Sequence, residues 1–366
     1  MWSLPRPRAN NLPLVILLAV VAAGPSAQTR FADVERITAE GHKQTGAPGM
    51  SVAVAVNDRL TWSQGFGLAD VENDVPARAN TVYRIASISK PLAATAVMQL
   101  VERGRVNLDE PVQKYVPAFP VKGEQKVTIR HLLTHTSGIR HYRGSEMESS
   151  REYETVEEAL TIFKDDPLLF APGTKYSYST YAFNLLAGVV ETASGLGFET
   201  YLKTNVWQPA GMESTYLDHV GQIIPRRARQ YVRGGGRVMN APLADLSNKW
   251  AGGGVLSTAE DLVRFHIALD EGKLLKPETL KQMYTAYRLQ DGTETTYGLG
   301  WGVWKDSRGQ AWIGHSGGAT GGTTFLVRDP ARKLAVAVLC NVQSAEGLGA
   351  LAERIAEEAA RTIKTN

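Results

Sequence analysis

The chain has 366 residues, of which 43% are hydrophobic and 21% are charged, a composition that is ordinary for a soluble globular enzyme with a sizeable core. Its formal net charge is only +3, which gives no reason to expect a nucleic acid as a partner. The single cysteine, Cys340, excludes an intramolecular disulfide bond.

The first 28 residues have the layout of a secretory signal peptide. Arg6 and Arg8 precede an apolar run at 12–23, and small residues follow it. The run is shorter than the roughly 20 residues that span a bilayer. We therefore expect a secreted or periplasmic protein, or a membrane-anchored one if the leader is not cleaved.

The next elements are a helix and a hairpin. Phe31, Val34 and Ile37 recur at helical spacing, and the segment 46–49 ends the helix. The strand-like runs 51–56 and 60–66 are separated by three turn residues, which predicts a β-hairpin.

The stretch 83–98 places Ser87 three residues before Lys90 at a predicted helix start. Side chains at i and i+3 share a helix face about 5–6 Å apart, so the Lys90 amine can reach the Ser87 hydroxyl. The helix predicted over 88–101 is apolar on nearly every side, which indicates burial. Burial lowers the pKa of an amine and would make Lys90 a proton acceptor for Ser87. The alternative is a helix-capping serine followed by a solvated lysine.

Helical patterns dominate the middle of the chain, and strand patterns return beyond Tyr297. The predicted helices are 128–134, 156–163, 182–194 and 258–269, and the predicted strands are 300–304, 310–313, 323–327 and 334–339. An apolar stripe from Leu348 to Ile363 predicts a terminal helix capped by Ser344. We therefore expect an α+β fold in which residues 29–84 and 291–366 form one α/β domain and residues 85–290 form a mostly helical domain. The cleft between them would receive the Ser87 helix.

Two later stretches carry suitable partners for Ser87. Tyr178 lies in a turn before a predicted helix, and a nearby Lys90 cation would lower the pKa of its phenol and let it relay a proton. The segment Gly314-His315-Ser316-Gly317-Gly318 lies at the end of a predicted strand, where glycines let backbone N–H groups approach an oxyanion.

Taken in order, the three stretches resemble the motifs of the serine β-lactamase and penicillin-recognising peptidase superfamily. The resemblance also covers the segments 71–73, 85–91, 131–142 and 250–254. It is greatest on the class C side, which includes the mitochondrial serine β-lactamase-like proteins and their bacterial relatives. It implies a β-lactamase/transpeptidase-like fold, with an antiparallel sheet flanked by the N- and C-terminal helices and a mostly helical second domain.

The resemblance also implies roles for single residues. Ser87 matches the nucleophile, Lys90 its base and Tyr178 the tyrosine of the second motif. The oxyanion hole and substrate site are then expected at the N–H groups of Ser87 and Gly318 and at Thr180, His315, Ser316 and Gly317. No metal or other cofactor is implied, and the expected partner is a small-molecule or peptide substrate.

Two positions depart from the common family pattern. Thr180 stands where many relatives have asparagine, and His315 replaces the lysine of true β-lactamases. An imidazole is mostly neutral at pH 7, so it is a weaker anchor for a carboxylate. We expect a serine hydrolase that acts on an ester, a peptide or a related amide. The alternatives are a true β-lactamase and a non-catalytic binding or assembly protein of the same fold.

Two rival sites are also open to test. Gly314-His315-Ser316-Gly317-Gly318 matches the nucleophile elbow of α/β-hydrolases, with Asp329 as an acid, but no histidine follows His315. His131, His135 and His141 have spacings that could supply zinc ligands, although the glutamate of His-Glu-x-x-His is missing.

Overall fold

The computed structural model describes residues 31–124 and 126–364. The predicted signal peptide, residues 1–28, lies outside these residues, so export of the protein stays a prediction. No helix in the described part of the chain is long and apolar enough to cross a membrane.

The described ranges contain helices and strands joined by loops. The helices are α1 (Ala32–Thr45), α2 (Ser89–Glu102), α3 (Ile129–Leu133), α4 (Val156–Leu160), α5 (Thr180–Ser194), α6 (Phe198–Leu202), α7 (Gln208–Ala210), α8 (Trp250–Gly253), α9 (Ala259–Asp270), α10 (Pro277–Met283) and α11 (Leu348–Lys364). The strands are β1 (Gly49–Val56), β2 (Arg59–Asp70), β3 (Val75–Pro76), β4 (Tyr83–Arg84), β5 (Tyr216–Leu217), β6 (Tyr231–Gly234), β7 (Arg237–Asn240), β8 (Val255–Ser257), β9 (Gly302–Lys305), β10 (Ala311–Ala319), β11 (Gly322–Asp329) and β12 (Leu334–Cys340).

The main sheet joins the two ends of the chain. Its strand order is β3-β2-β1-β12-β11-β10-β9, and neighbouring strands are antiparallel. The first and last parts of the chain meet where β1 pairs with β12, with Met50 opposite Cys340. This sheet confirms the expected α+β fold, whereas the predicted domain boundaries stay a prediction.

Side chains of the central strands alternate between two cores. Val52 and Val54 of β1 belong to the core that α1 and α11 cover, together with Val34 and Ile355. Ala53 points to the opposite face and belongs to the core of the helical part. The apolar runs of β1 and β12 are therefore buried on both faces of the sheet.

Helix α2 lies inside the helical part and packs against α5 and α8. Leu92, Ala93 and Met98 lie on different sides of the helix, yet none of them is exposed. The burial predicted from the all-round apolar character of this helix is confirmed, and Lys90 in its first turn is enclosed with it.

Two local predictions are wrong. The strand predicted over 310–313 ends too early, because β10 continues through the glycine motif to Ala319, paired residue by residue with β11. Cross-strand pairing here outweighs the low strand propensity of glycine. The predicted cap Ser344 has a φ of +58° and lies four residues before α11 begins, whereas a capping residue is extended.

Candidate active site

Ser87 lies in a one-turn 3-10 helix, Ala86–Ile88, directly before α2. Ala86 has a left-handed backbone with φ +50°, which is unfavourable for a residue with a Cβ, so its surroundings must hold the turn. The Ser89 hydroxyl donates to the Ala86 carbonyl at 2.7 Å and accepts from the Val255 N–H at 3.2 Å. Ser87 itself is half-buried and does not cap α2, which rules out the helix-capping alternative.

The Lys90 amine is fully buried and contacts three oxygen atoms. Its Nζ lies 3.1 Å from Ser87 Oγ, 3.2 Å from Thr180 Oγ1 and 2.6 Å from the Gly252 carbonyl oxygen. Within the described ranges no carboxylate pairs with it. Burial, with a smaller contribution from the Lys249 charge, lowers the pKa of Lys90 well below its usual value. A neutral amine can donate to Gly252 and Thr180 and keep its lone pair for the Ser87 proton.

The contact between Lys90 and Gly252 depends on the absence of a side chain at position 252. A Cβ there would lie 2.5 Å from Thr180 Cγ2 and 2.8 Å from the Thr180 carbonyl oxygen. Any larger residue would therefore push α8 away from α5 and withdraw the carbonyl from Lys90. The resemblance covered this segment without giving Gly252 a role.

Tyr178 lies against the same amine. The Lys90 Nζ is 4.7 Å from the centre of the Tyr178 ring, and the phenol lies close enough to the Ser87 side chain for that side chain to influence its pKa. Burial raises the pKa of Tyr178 above its usual value, and the contact with Ser87 offsets only part of this rise. The expectation that Lys90 lowers this pKa is wrong, because desolvation dominates and Lys90 is itself a poor cation here. The Tyr178 phenol is therefore neutral.

The three histidines considered as zinc ligands bind backbone N–H groups. His135 Nδ1 accepts from the Ser179 N–H at 3.1 Å, and His141 Nδ1 accepts from the Thr180 N–H at 3.2 Å. His131 Nδ1 accepts from the N–H of Thr128 in the capping box of α3. In the described ranges no three His, Cys, Asp or Glu side chains are grouped so that they could hold a metal ion. His135 and His141 instead fix the start of α5, directly after Tyr178.

The ring of His315 has a partner at each nitrogen. Its Nδ1 lies 2.6 Å from the Ser316 carbonyl oxygen and must donate to it, so Nε2 accepts from the Tyr297 hydroxyl at 2.8 Å. Burial, assisted by the Lys90 charge, lowers the pKa of His315 to about 3. His315 is therefore a neutral acceptor for Tyr297, and it supplies no cation at ordinary pH. Tyr297 carries no recognisable motif and was not predicted.

The free edge of β10 reaches the Ser87 turn. A Cβ at Gly317 would lie 2.4 Å from the Ile85 carbonyl oxygen, so only glycine allows this approach. Ala319 faces Gly322 across a two-residue turn, and the N–H groups of an antiparallel strand alternate in direction, so the Gly318 N–H points away from β11. In the described chain β9 pairs with β10 only as far as Gly314, which leaves this donor exposed at the edge.

Ser316 does not form the rival nucleophile elbow with Asp329. Ser316 is opposite Phe325 in the sheet, and Asp329 lies four residues further along β11, roughly 13 Å away at strand spacing. The Asp329 carboxylate instead accepts from the backbone N–H groups of Ala331 and Arg332 and pairs with the Arg332 guanidinium. The prediction of a nucleophile elbow formed by Ser316 and Asp329 is therefore wrong.

A second buried lysine stands behind this site. Lys249 Nζ donates to the Met147 carbonyl oxygen at 2.6 Å and lies 5.1 Å from the centre of the Tyr142 ring. The Tyr142 phenol lies close to the Thr180 side chain, which in turn contacts Lys90. Burial lowers the pKa of Lys249 to about 7. Thr180 therefore makes the contact with Lys90 that an asparagine at position 180 would make.

Comparison with known proteins places this geometry in a family. The family model described as Beta-lactamase matches residues 34–361. The chain belongs to the β-lactamase family. It is 34% identical to the human mitochondrial serine beta-lactamase-like protein LACTB over 86% of this chain and 77% of that protein. It is 32% identical to esterase EstB of Burkholderia gladioli over 69% of this chain and 73% of that protein.

A solved structure extends the likeness to the whole β-lactamase fold. D-amino acid amidase from Ochrobactrum anthropi SV3, complexed with L-phenylalanine amide, superposes with a TM-score of 0.78. It is 25% identical to this chain and covers 92% of this chain and 99% of its own. The β-lactamase/transpeptidase-like fold implied by the three motifs is therefore confirmed, and esterases and amidases are among the proteins that share it.

Proposed function

We propose that this protein is a serine hydrolase that forms an acyl-enzyme on Ser87 and cleaves an ester, a peptide or a related amide bond. The observation that carries the proposal is the 3.1 Å contact between Ser87 Oγ and a buried Lys90 that has no carboxylate partner in the described chain. Burial lowers the pKa of such an amine and so favours its neutral form, and a base within hydrogen-bond reach activates a serine hydroxyl.

Acylation uses Lys90 as base and Tyr178 as acid. The lone pair of Lys90 takes the Ser87 proton while Oγ attacks the substrate carbonyl carbon. The N–H groups of Ser87 and Gly318 are the proposed donors to the oxyanion that forms. As the tetrahedral intermediate collapses, the Tyr178 phenol gives its proton to the leaving alcohol or amine. The acyl-enzyme then holds a Lys90 ammonium beside a Tyr178 phenolate, and the two charges stabilise each other.

Deacylation reverses these roles. The Tyr178 phenolate takes a proton from water, and the resulting hydroxide attacks the acyl carbon. Ser87 Oγ leaves with the proton held by Lys90, which restores the neutral amine and the neutral phenol. The sum is the addition of one water across the cleaved bond. This cycle needs no carboxylate base, in keeping with the acceptors found around Lys90.

The substrate is proposed to be an ester or amide rather than a β-lactam. His315 is neutral and already accepts from Tyr297, so it does not anchor the carboxylate that a penicillin carries. Thr180 offers one hydroxyl, which contacts Lys90, where an amide would have a second polar atom for the substrate. Ester hydrolysis needs only the nucleophile, its base and the oxyanion donors.

The proposal is tested with nitrophenyl esters, D- and L-amino-acid peptides and nitrocefin, each assayed with the purified protein and with Ser87→Ala. We expect ester or peptide turnover that Ser87→Ala abolishes and that a chelator leaves unchanged. The highest kcat/KM on nitrocefin would make the protein a true β-lactamase. Correctly folded protein without turnover or covalent labelling would favour a non-catalytic binding or assembly role.

A further inference from the structure

A cleft of about 450 Å³ opens beside the Ser87 site. This volume is within the range of small-molecule sites. Half of the residues that line the cleft are aromatic, namely Tyr176, Tyr178, Tyr297, Trp304 and Phe325. Aromatic rings around a cleft favour flat apolar groups, which can stack on them or meet them edge to face.

The cleft is continuous with the reacting groups. Tyr178 and His315 line it, and the ring of Tyr178 also covers the Lys90 amine at 4.7 Å. From there the cleft follows β10 at Gly314 and Ser316 towards Trp304 on β9. A Cβ at Gly314 would lie 3.0 Å from the Trp304 ring, so this glycine lets the indole lie close over the strand.

The described lining of the cleft includes no Lys, Arg, Asp or Glu. Its one titratable side chain besides the tyrosines is His315, and both nitrogens of that ring already have partners. A carboxylate that entered this cleft would lose hydration without gaining a cation, which is costly. An uncharged group meets no such penalty.

We infer that the substrate carries an uncharged aromatic group next to the scissile carbonyl, seated between Tyr176, Tyr297 and Trp304. This inference rests on the proposed hydrolase function and adds the substrate class. A site that recognises a carboxylate would instead offer a cation to the substrate. We assign Trp304 and Tyr176 as specificity-determining residues.

The test measures the hydrolysis of simple esters through the protons that are released at constant pH. Each enzymatic rate is divided by the rate at which hydroxide hydrolyses the same ester. Methyl phenylacetate and benzyl acetate place the ring on the acyl and alcohol side, and methyl acetate is the reference. We expect kcat/KM of at least one aromatic ester to exceed the reference by about tenfold or more, because an apolar ring is buried. Methyl 4-carboxyphenylacetate should lose most of that gain. Equal rates for all esters, or a faster rate for the carboxylate or for methyl 4-(aminomethyl)phenylacetate, would overturn the inference.

Variants locate the effect. Trp304→Ala and Tyr176→Ala should each reduce kcat/KM for the aromatic ester more than kcat/KM for methyl acetate, and Tyr176→Phe should restore the preference for the aromatic ester. Trp62→Ala is the matched control, because Trp62 is also half-buried and packs against the same core, but from β2 near the opposite edge of the sheet. If a fluorophosphonate labels Ser87 but the ester panel shows no preference for aromatic esters, this inference alone is refuted. No labelling at all would refute the hydrolase proposal as well.

Discussion

The Lys90 amine lies 2.6 Å from the carbonyl oxygen of Gly252, although the two residues are 162 positions apart in the chain. This contact gives a neutral lysine a fixed acceptor for one of its protons and thereby directs its lone pair towards Ser87. Because Gly252 lies in α8, the proposed chemistry requires this helix to stay in its present position.

The glycine at 252 should be indispensable for that geometry. Gly252→Ala places a methyl group 2.5 Å from Thr180 Cγ2, so we expect kcat/KM to fall by about 10²-fold or more, the usual size of a misplaced catalytic contact. Gly253→Ala is the matched control, since its Cβ would meet no atom closer than 3.8 Å. Steady-state kinetics on one ester compares the two, and equal losses in both variants would contradict this role of Gly252.

Lys90 should lower stability while it enables activity. Because burial lowers its pKa, the folded protein binds fewer protons at this amine than the unfolded chain, and stability rises with pH between the folded and unfolded pKa values. Lys90→Met removes this cost and keeps a long apolar side chain. We expect thermal unfolding at neutral pH to shift upward while turnover is lost. A lower melting temperature with a native circular-dichroism spectrum would show that the amine stabilises the fold.

Lys249 should tune the pH dependence. The proposed acylation needs neutral Lys90, so we expect kcat/KM to fall as pH falls through the lowered pKa of that amine. The charge on protonated Lys249 lowers the pKa of Lys90 further, so Lys249→Met should raise the pKa of Lys90. The acid limb of the pH profile, where kcat/KM falls with falling pH, should then move to higher pH. Lys249→Arg should keep the limb in place or lower it. The pH profiles of both variants decide the matter, and an unmoved limb in Lys249→Met would remove Lys249 from the mechanism.

The local part of the site was predictable, and the long-range part was not. The spacing of Ser87 and Lys90 follows from a single helix turn, and the order of the three motifs pointed to Tyr178 and His315. Gly252 and Tyr297 could not be recognised, because their contacts depend on how distant elements pack. The backbone contacts of His135 and His141 could not be predicted either, since the spacing of these residues carries no sign that they accept from N–H groups about 40 residues later.

The fold shows the same division. The apolar runs and the terminal stripe predicted most helices and every strand of the main sheet except β3, because periodicity records which faces are buried. The length of β10 depended on its partner β11, which no local pattern in the glycine motif reveals. The direction of the Tyr178 pKa shift also required the structure, since burial and a neighbouring cation act in opposite directions.

Tyr178 should matter most after the acyl-enzyme has formed. Tyr178→Phe retains the ring that packs on Lys90 and loses the hydroxyl group that we propose takes a proton from water. We expect turnover to fall by about 10²–10⁴-fold, with a stoichiometric burst of leaving group and a long-lived acyl-enzyme when the leaving group is nitrophenolate, which needs no acid. Stopped-flow release of nitrophenolate measures both phases. A normal steady-state rate would refute the role given to this phenol.

The central claim is that Ser87 becomes acylated, and intact-mass spectrometry after rapid acid quench of an ester reaction tests it most directly. We expect a single mass increase equal to the acyl group, mapped by peptide analysis to Ser87, absent in Ser87→Ala and increased in Tyr178→Phe. Ester turnover with no acyl adduct in any variant, or an adduct of undiminished size in Ser87→Ala, would contradict the claim.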